Sequence, residues 1–82
     1  MNVHWWPRAA DRLLAMPRAE AERVDLAVQR WATKRQGVYI AGGEGAYMLA
    51  VGGYVVIVYV DDMVSPPTVN VADVRPARRS GK

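Results

Sequence analysis

The chain has no cysteine. No disulfide can staple it, and no thiolate can serve as nucleophile or soft metal ligand. It has one histidine, His4, beside Trp5 and Trp6. A lone histidine with no cysteine and no clustered acids is not a metal-binding set, and no Ser/His/Asp constellation can be assembled around it. From Gln36 to Val74 there is no lysine or arginine, only Glu44, Asp61, Asp62 and Asp73. No apolar run reaches about 18 residues, so no membrane-spanning helix is expected. The opening Met-Asn-Val-His-Trp-Trp-Pro-Arg lacks the charged-then-apolar layout of a signal peptide, and a cytoplasmic location is expected.

What is present is a single small domain. At 82 residues and 51% apolar content the chain can fold as one globule. At this size it buries only about 60–65% of its unfolded surface. All 11 basic residues fall in residues 8–35 and 75–82. The layout is a basic helical half, a neutral-to-acidic sheet and a basic tail. A net charge of +3 suits an anionic partner, either nucleic acid or an acidic protein.

Val3 to Trp6 reads as a short strand stopped by Pro7, which also suits the first turn of a helix. Ala10, Leu13 and Leu14 are spaced as one helical face ending before Pro17. Ala21, Val24, Ala27, Val28 and Trp31 form the stripe of a second helix, with Glu20 and Glu22 early, Lys34 and Arg35 late, and Gly37 as its stop. Val38 to Ile40 is either a short strand or the approach to a loop. Gly42-Gly43-Glu44-Gly45 reads as a turn. It is a poor phosphate cradle, because a strand follows it and no cation is near. Tyr47–Val51 and Tyr54–Val60 read as a hairpin around Gly52-Gly53. Ser65-Pro66-Pro67 returns the chain, and Thr68 to Arg75 alternates into a last strand closed by Pro76. The order β-α-α-β-β-β predicts an α+β fold: a two-layer domain with a helical pair on a small, mainly antiparallel sheet, residues 1–76, followed by a basic tail at 77–82.

Tyr54 to Val60 is apolar on both faces. One face takes the helices. The other, carrying either Val55, Ile57 and Tyr59 or Tyr54, Val56, Val58 and Val60, has nothing left to cover it. An uncovered patch of that kind marks a protein contact. Val55, Val56, Ile57, Val58 and Tyr59 are therefore the candidate partner-binding residues, with Arg75, Arg78 and Arg79 as cations for an acidic stretch of the partner. Other features have plainer roles. Asp61-Asp62 with Asp73 could hold a hard cation, but carboxylates at a strand end are usually a solvated turn. Tyr47, Tyr54 and Tyr59 could stack on bases, yet that role wants neighbouring cations, so packing is expected instead. Lys34 and Arg35 are weak candidates for nucleic-acid contact on a basic helix that is otherwise a solvated face. No metal or cofactor signature is present.

The opening Val-His-Trp-Trp-Pro-Arg-Ala-Ala-Asp-Arg-Leu-Leu-Ala-Met-Pro, the stripe Val24-Asp25-Leu26-Ala27-Val28, the hairpin from Tyr47 to Tyr59 and the close Val71-Ala72-Asp73-Val74-Arg75-Pro76-Ala77-Arg78-Arg79 together resemble a RelE/ParE-type toxin of a bacterial toxin–antitoxin pair. The resemblance spans most of the chain through order and spacing. It implies a toxin-like subunit neutralised by an antitoxin and acting on gyrase or on the ribosome and its mRNA. The departures lie in the hairpin. Three positions that are basic in the family are Met48, Ala50 and Val55 here, and the tail has no Tyr, His or Glu as acid or base. Phosphoryl transfer rests largely on positioning and on such electrostatics. The resemblance thus leaves Arg75, Arg78 and Arg79 as the catalytic candidates of an mRNA endonuclease, and disfavours that activity. Arg75-Pro76-Ala77-Arg78-Arg79 is similar to the closing run of the gyrase-directed members. The alternative is a non-catalytic interaction module or homodimer that has lost toxin activity.

Overall fold

The fold is described from a computed structural model, covering residues 2–77. The elements are β1 (Asn2–Trp5), α1 (Pro7–Leu14), α2 (Arg18–Lys34), β2 (Val38–Gly43), β3 (Ala46–Val51), β4 (Tyr54–Asp61) and β5 (Thr68–Pro76). The order is β-α-α-β-β-β-β, one strand more than expected because Val38–Gly43 pairs along β3, and it makes an α+β domain. The strands form one mixed sheet in the order β1-β5-β4-β3-β2. β1 runs parallel to β5, and every other pairing is antiparallel.

Both helices begin at prolines, where a missing N–H costs nothing. Pro7 occupies the first turn of α1, and Pro17 is the N-cap of α2. The α2 stripe is as its spacing predicts: Val24, Val28 and Trp31 are fully buried, joined by Ala32. Two details differ from the sequence expectation. Helix α2 stops at Lys34 because Arg35 itself takes the left-handed conformation, with φ 55°, ahead of Gly37. In α1 the buried residue is Ala9 and Leu13 packs on the core, whereas Leu14 is 83% exposed. Adjacent residues lie about 100° apart around a helix, so the face that turns Ala9 and Leu13 inward leaves Leu14 in water.

The sheet resolves the two faces of β4. Val56 and Val58 are fully buried under the helices, together with Leu49, Val51, Val69, Val71 and Val74. Tyr54 and Val60 border this core. The alternate set, Val55, Ile57 and Tyr59, lies on the face away from the helices, in register with Ala50, Met48 and Ala46 of β3. Val56 and Val58 are thus core residues and are withdrawn from the partner-contact set. They are closed off by the side chains that stabilise the fold, each contributing about 1.5–3 kcal/mol by burial.

Val38 to Gly43 is a full edge strand, longer than the sequence suggests, with a bulge between Ala41 and Gly43. Its turn is Glu44-Gly45, both at positive φ (53° and 80°), the requirement of a type I′ hairpin. The Gly52-Gly53 turn has positive φ at Gly52 alone, 56°, as a II′ turn requires.

Two opposite outcomes are expected at the β2–β3 turn. Asn tolerates the left-handed region, so Glu44→Asn should raise the unfolding free energy by about 0.5–1 kcal/mol. Gly45→Ala should lower it by about 1–2 kcal/mol, since its Cβ would also sit 3.2 Å from the Val60 carbonyl oxygen. Urea titration followed by circular dichroism measures both.

Candidate functional site

The helix-free face of the sheet is the candidate site. Alternation along β4 and β3 places Val55, Ile57 and Tyr59 beside Ala50, Met48 and Ala46, and β2 extends the surface with Val38 and Ile40. No cation lies on these three strands, since none occurs between Gln36 and Val74. Met48 is 39% exposed, Tyr59 40% and Ile40 60%. Val38, Ile40, Met48, Ala50 and Val55 line an apolar groove of about 200 Å³ at the β2 side.

A second groove, about 390 Å³, lies at the β5 side and is lined by Trp6, Pro7, Arg8, Ile57, Tyr59, Ala72, Asp73 and Arg75. Its construction follows from strand lengths. β1 pairs with β5 only as far as Val71, where the Trp6 N–H donates to the Val71 carbonyl at 2.9 Å. Beyond that point the chain turns into α1, and the pairing of β4 with β5 shifts by one residue at Ala72. Trp6 stacks on Tyr59, with ring centroids 5.7 Å apart and planes 16° from parallel. Arg8 follows on the first turn of α1 and Arg75 stands opposite Val55.

Asp73 fastens this corner. It is 4% exposed, forms an ion pair with Arg12 (Nε to Oδ1, 2.8 Å) and accepts the Arg75 Nε–H at 3.0 Å. It also accepts the Val74 N–H at 2.9 Å. Burial alone would raise its pKa. The hydrogen bonds from Arg75 and Val74 and the charges of Arg12 and Arg75 outweigh burial and hold it below the ordinary carboxylate value. Asp73 therefore stays ionised and is a poor proton donor. Arg75, a sequence candidate for catalysis and partner contact, is present on the face but tied to this carboxylate. At the other end of β4, Tyr54 Oη donates to Glu20, a bond that raises the tyrosine pKa and joins α2 to the hairpin.

Val55, Ile57, Tyr59 and Arg75 are brought together on this face. Arg78 and Arg79 lie outside the described residues. Lys34 and Arg35 sit at the end of α2, in the layer behind the sheet, where the Arg35 guanidinium lies 4.4 Å from the Trp31 ring centroid and 5.4 Å from that of Tyr47. That packing gives Arg35 a structural occupation. Trp6 and Arg8 belong to the site and escaped the sequence reading. The only signal for them was an aromatic-Pro-Arg run at a strand end. Among the described residues no three His, Cys, Asp or Glu side chains gather as a metal site, and no helix is long and apolar enough to cross a membrane.

Two solved chains match this fold. One is a chain of the RelBE2 toxin–antitoxin complex of Mycobacterium tuberculosis. The match covers 92% of this chain and 95% of that one, with 22% identity and a TM-score of 0.59. The fold is RelE-like. No family model and no curated protein sequence matches the chain. At that identity the agreement is one of backbone architecture.

The Asp73 node gives a pH-dependent expectation. A carboxyl whose folded pKa lies below its unfolded value, about 3.9, stabilises the fold fully above that value. The contribution is lost as pH falls through the lower folded value. Asp73→Asn should cost about 1–3 kcal/mol at pH 7, and the difference from the parent should shrink below about pH 4. Denaturant unfolding at a series of pH values reads this out. An equal penalty at pH 7 and at pH 2 would mean that the charge of Asp73 contributes nothing.

Proposed function

We propose that this chain is the toxin-like subunit of a toxin–antitoxin module, and that an antitoxin neutralises it by covering the helix-free face of the sheet. The observation that carries the proposal is the apolar, cation-free surface of Met48, Ala50, Val55, Ile57 and Tyr59 on an end-to-end RelE-like fold. A monomer gains nothing from leaving such a face in water, while a partner helix or strand laid along it excludes that water. Acidic side chains of the partner meet Arg8 and Arg75 at the β5 side.

The same face bears on the activity. With Met48, Ala50 and Val55 on the hairpin, and Arg75 bound to Asp73, the described surface has little to hold a scissile phosphate, and its buried carboxylate stays ionised. A non-nuclease action, directed at gyrase, fits these residues better than ribosome-dependent mRNA cleavage by Arg75, Arg78 and Arg79. The absence of hairpin cations also favours a second reading, a cytoplasmic interaction module that keeps the partner surface and has lost toxicity.

Expression of the chain alone from a tightly controlled promoter in a bacterial host, with pulse-labelling of protein and DNA synthesis, tests the proposal. Growth arrest is expected, with DNA synthesis failing first. Arrest of protein synthesis first would favour the translation machinery. Normal growth with folded, soluble protein would contradict toxicity and leave the interaction module. Against a co-encoded antitoxin, Ile57→Lys should weaken binding by tenfold or more, about 1.4 kcal/mol, with the fold intact. Unchanged co-purification of that variant would remove the sheet face from the account.

A further inference from the structure

The outer edge of β2 has a different character from the groove at Arg8 and Arg75. All six residues of Val38–Gly43 are exposed, and Val38 and Ile40 are 72% and 60% exposed. Natural edge strands are usually blunted by lysine, proline, inward charges or an early bulge. Here no residue from Gln36 to Gly43 is charged and none is proline, and the bulge lies at the far end, past Ala41. The strand is left able to accept another.

We propose that β2 pairs with β2 of a second copy of this chain, antiparallel about a two-fold axis normal to the sheet, giving one ten-stranded sheet. Such an axis keeps both helix-free faces on the same side. Side-chain parity then requires the pairing to centre on a residue. Centred on Tyr39, it sets Ile40 opposite Val38 of the second copy and the reverse. The register inside each sheet continues this row: Ile57 pairs with Met48 and Met48 with Ile40, while Val38 pairs with Ala50 and Ala50 with Val55. An unbroken apolar row, Ile57–Met48–Ile40, runs into Val38, Ala50 and Val55 of the second copy, and the two 200 Å³ grooves become one trough. On the helix side, Tyr39 meets its own symmetry mate beside Trp31 and Tyr47.

Charge selects this occupant. An acidic partner finds no cation along β2, whereas a neutral strand loses nothing there, and the chain itself supplies that strand. The pairing is isologous and closes on itself. The opposite edge, β1, is only four residues long and carries the exposed polar residues Asn2 and His4, so it does not propagate a filament. The pairing also leaves Trp6, Arg8, Ile57 and Tyr59 open on each copy. Self-association through β2 is therefore independent of the antitoxin proposal, and neither depends on the other.

Sedimentation equilibrium of the purified full chain, without any partner, tests this. The expected mass is twice 9.1 kDa at concentrations on the order of 100 µM. Ile40→Lys and Val38→Lys, both at exposed positions, should each give monomers with an unchanged circular dichroism spectrum, while Ile57→Lys should remain dimeric. A monomeric parent chain would overturn the proposal. So would dimers that survive both β2 substitutions, or open-ended oligomers in place of a closed dimer.

Discussion

The central strand β4 is apolar on both faces, and two helices can cover a five-stranded sheet on one face only. Val56 and Val58 take the covered side and anchor the core against Val28 and Trp31. Val55, Ile57 and Tyr59 are left on the other. A half-buried antiparallel strand ordinarily alternates apolar with polar. This one does not, and that departure shapes the rest of the molecule. The core is a thin layer dominated by valines, the outer layer is unfinished, and the chain's chemistry is pushed to the rim where Arg8, Arg75 and Asp73 sit.

Charge segregation follows the same division. The basic residues of α2 lie exposed behind the sheet, where Arg35 is occupied over Trp31. On the open side the cations at the groove come from α1 and β5, and the better-placed of them is matched by a buried carboxylate. Asp73 between Arg12 and Arg75 ties the short helix α1 to the point where β5 slips register. Without β1 beside it, that stretch of β5 is held by β4 along one edge and tied to α1 by the Arg12–Asp73 ion pair. The groove between Trp6 and Arg75 is thus built on an electrostatic clamp at one edge and aromatic stacking at the other.

Periodicity made both helices, the α2 stripe, the hairpin and the uncovered strand legible in the sequence, because 3.6- and 2-residue repeats survive in so short a chain; β2 was left open between strand and loop because Gly42 and Gly43 cut its alternation short. The choice between Val56/Val58 and Val55/Ile57 as the buried set was not legible, since both sets are equally apolar and only the helix packing distinguishes them. Arg35 as the αL terminus of α2 was hidden by Gly37, which has the usual chemistry of that position. Trp6 and Arg8 were missed for a topological reason: β1 joins the sheet next to β5, so residues at opposite ends of the chain line one groove. Leu14 looked like core because it follows Ala10 by four residues, and only the packing shows that the inward face is that of Ala9 and Leu13.

The central claim is that the face bearing Ile57 is the partner's seat. The chain has two isoleucines, Ile40 at the β2 edge and Ile57 beside the β5 groove. Methyl NMR of isoleucine-labelled protein, titrated with a co-encoded antitoxin, reads that face directly. The account predicts that the Ile57 methyl resonances shift or broaden in proportion to the complex formed. Saturable binding that leaves the Ile57 methyls unmoved would contradict it.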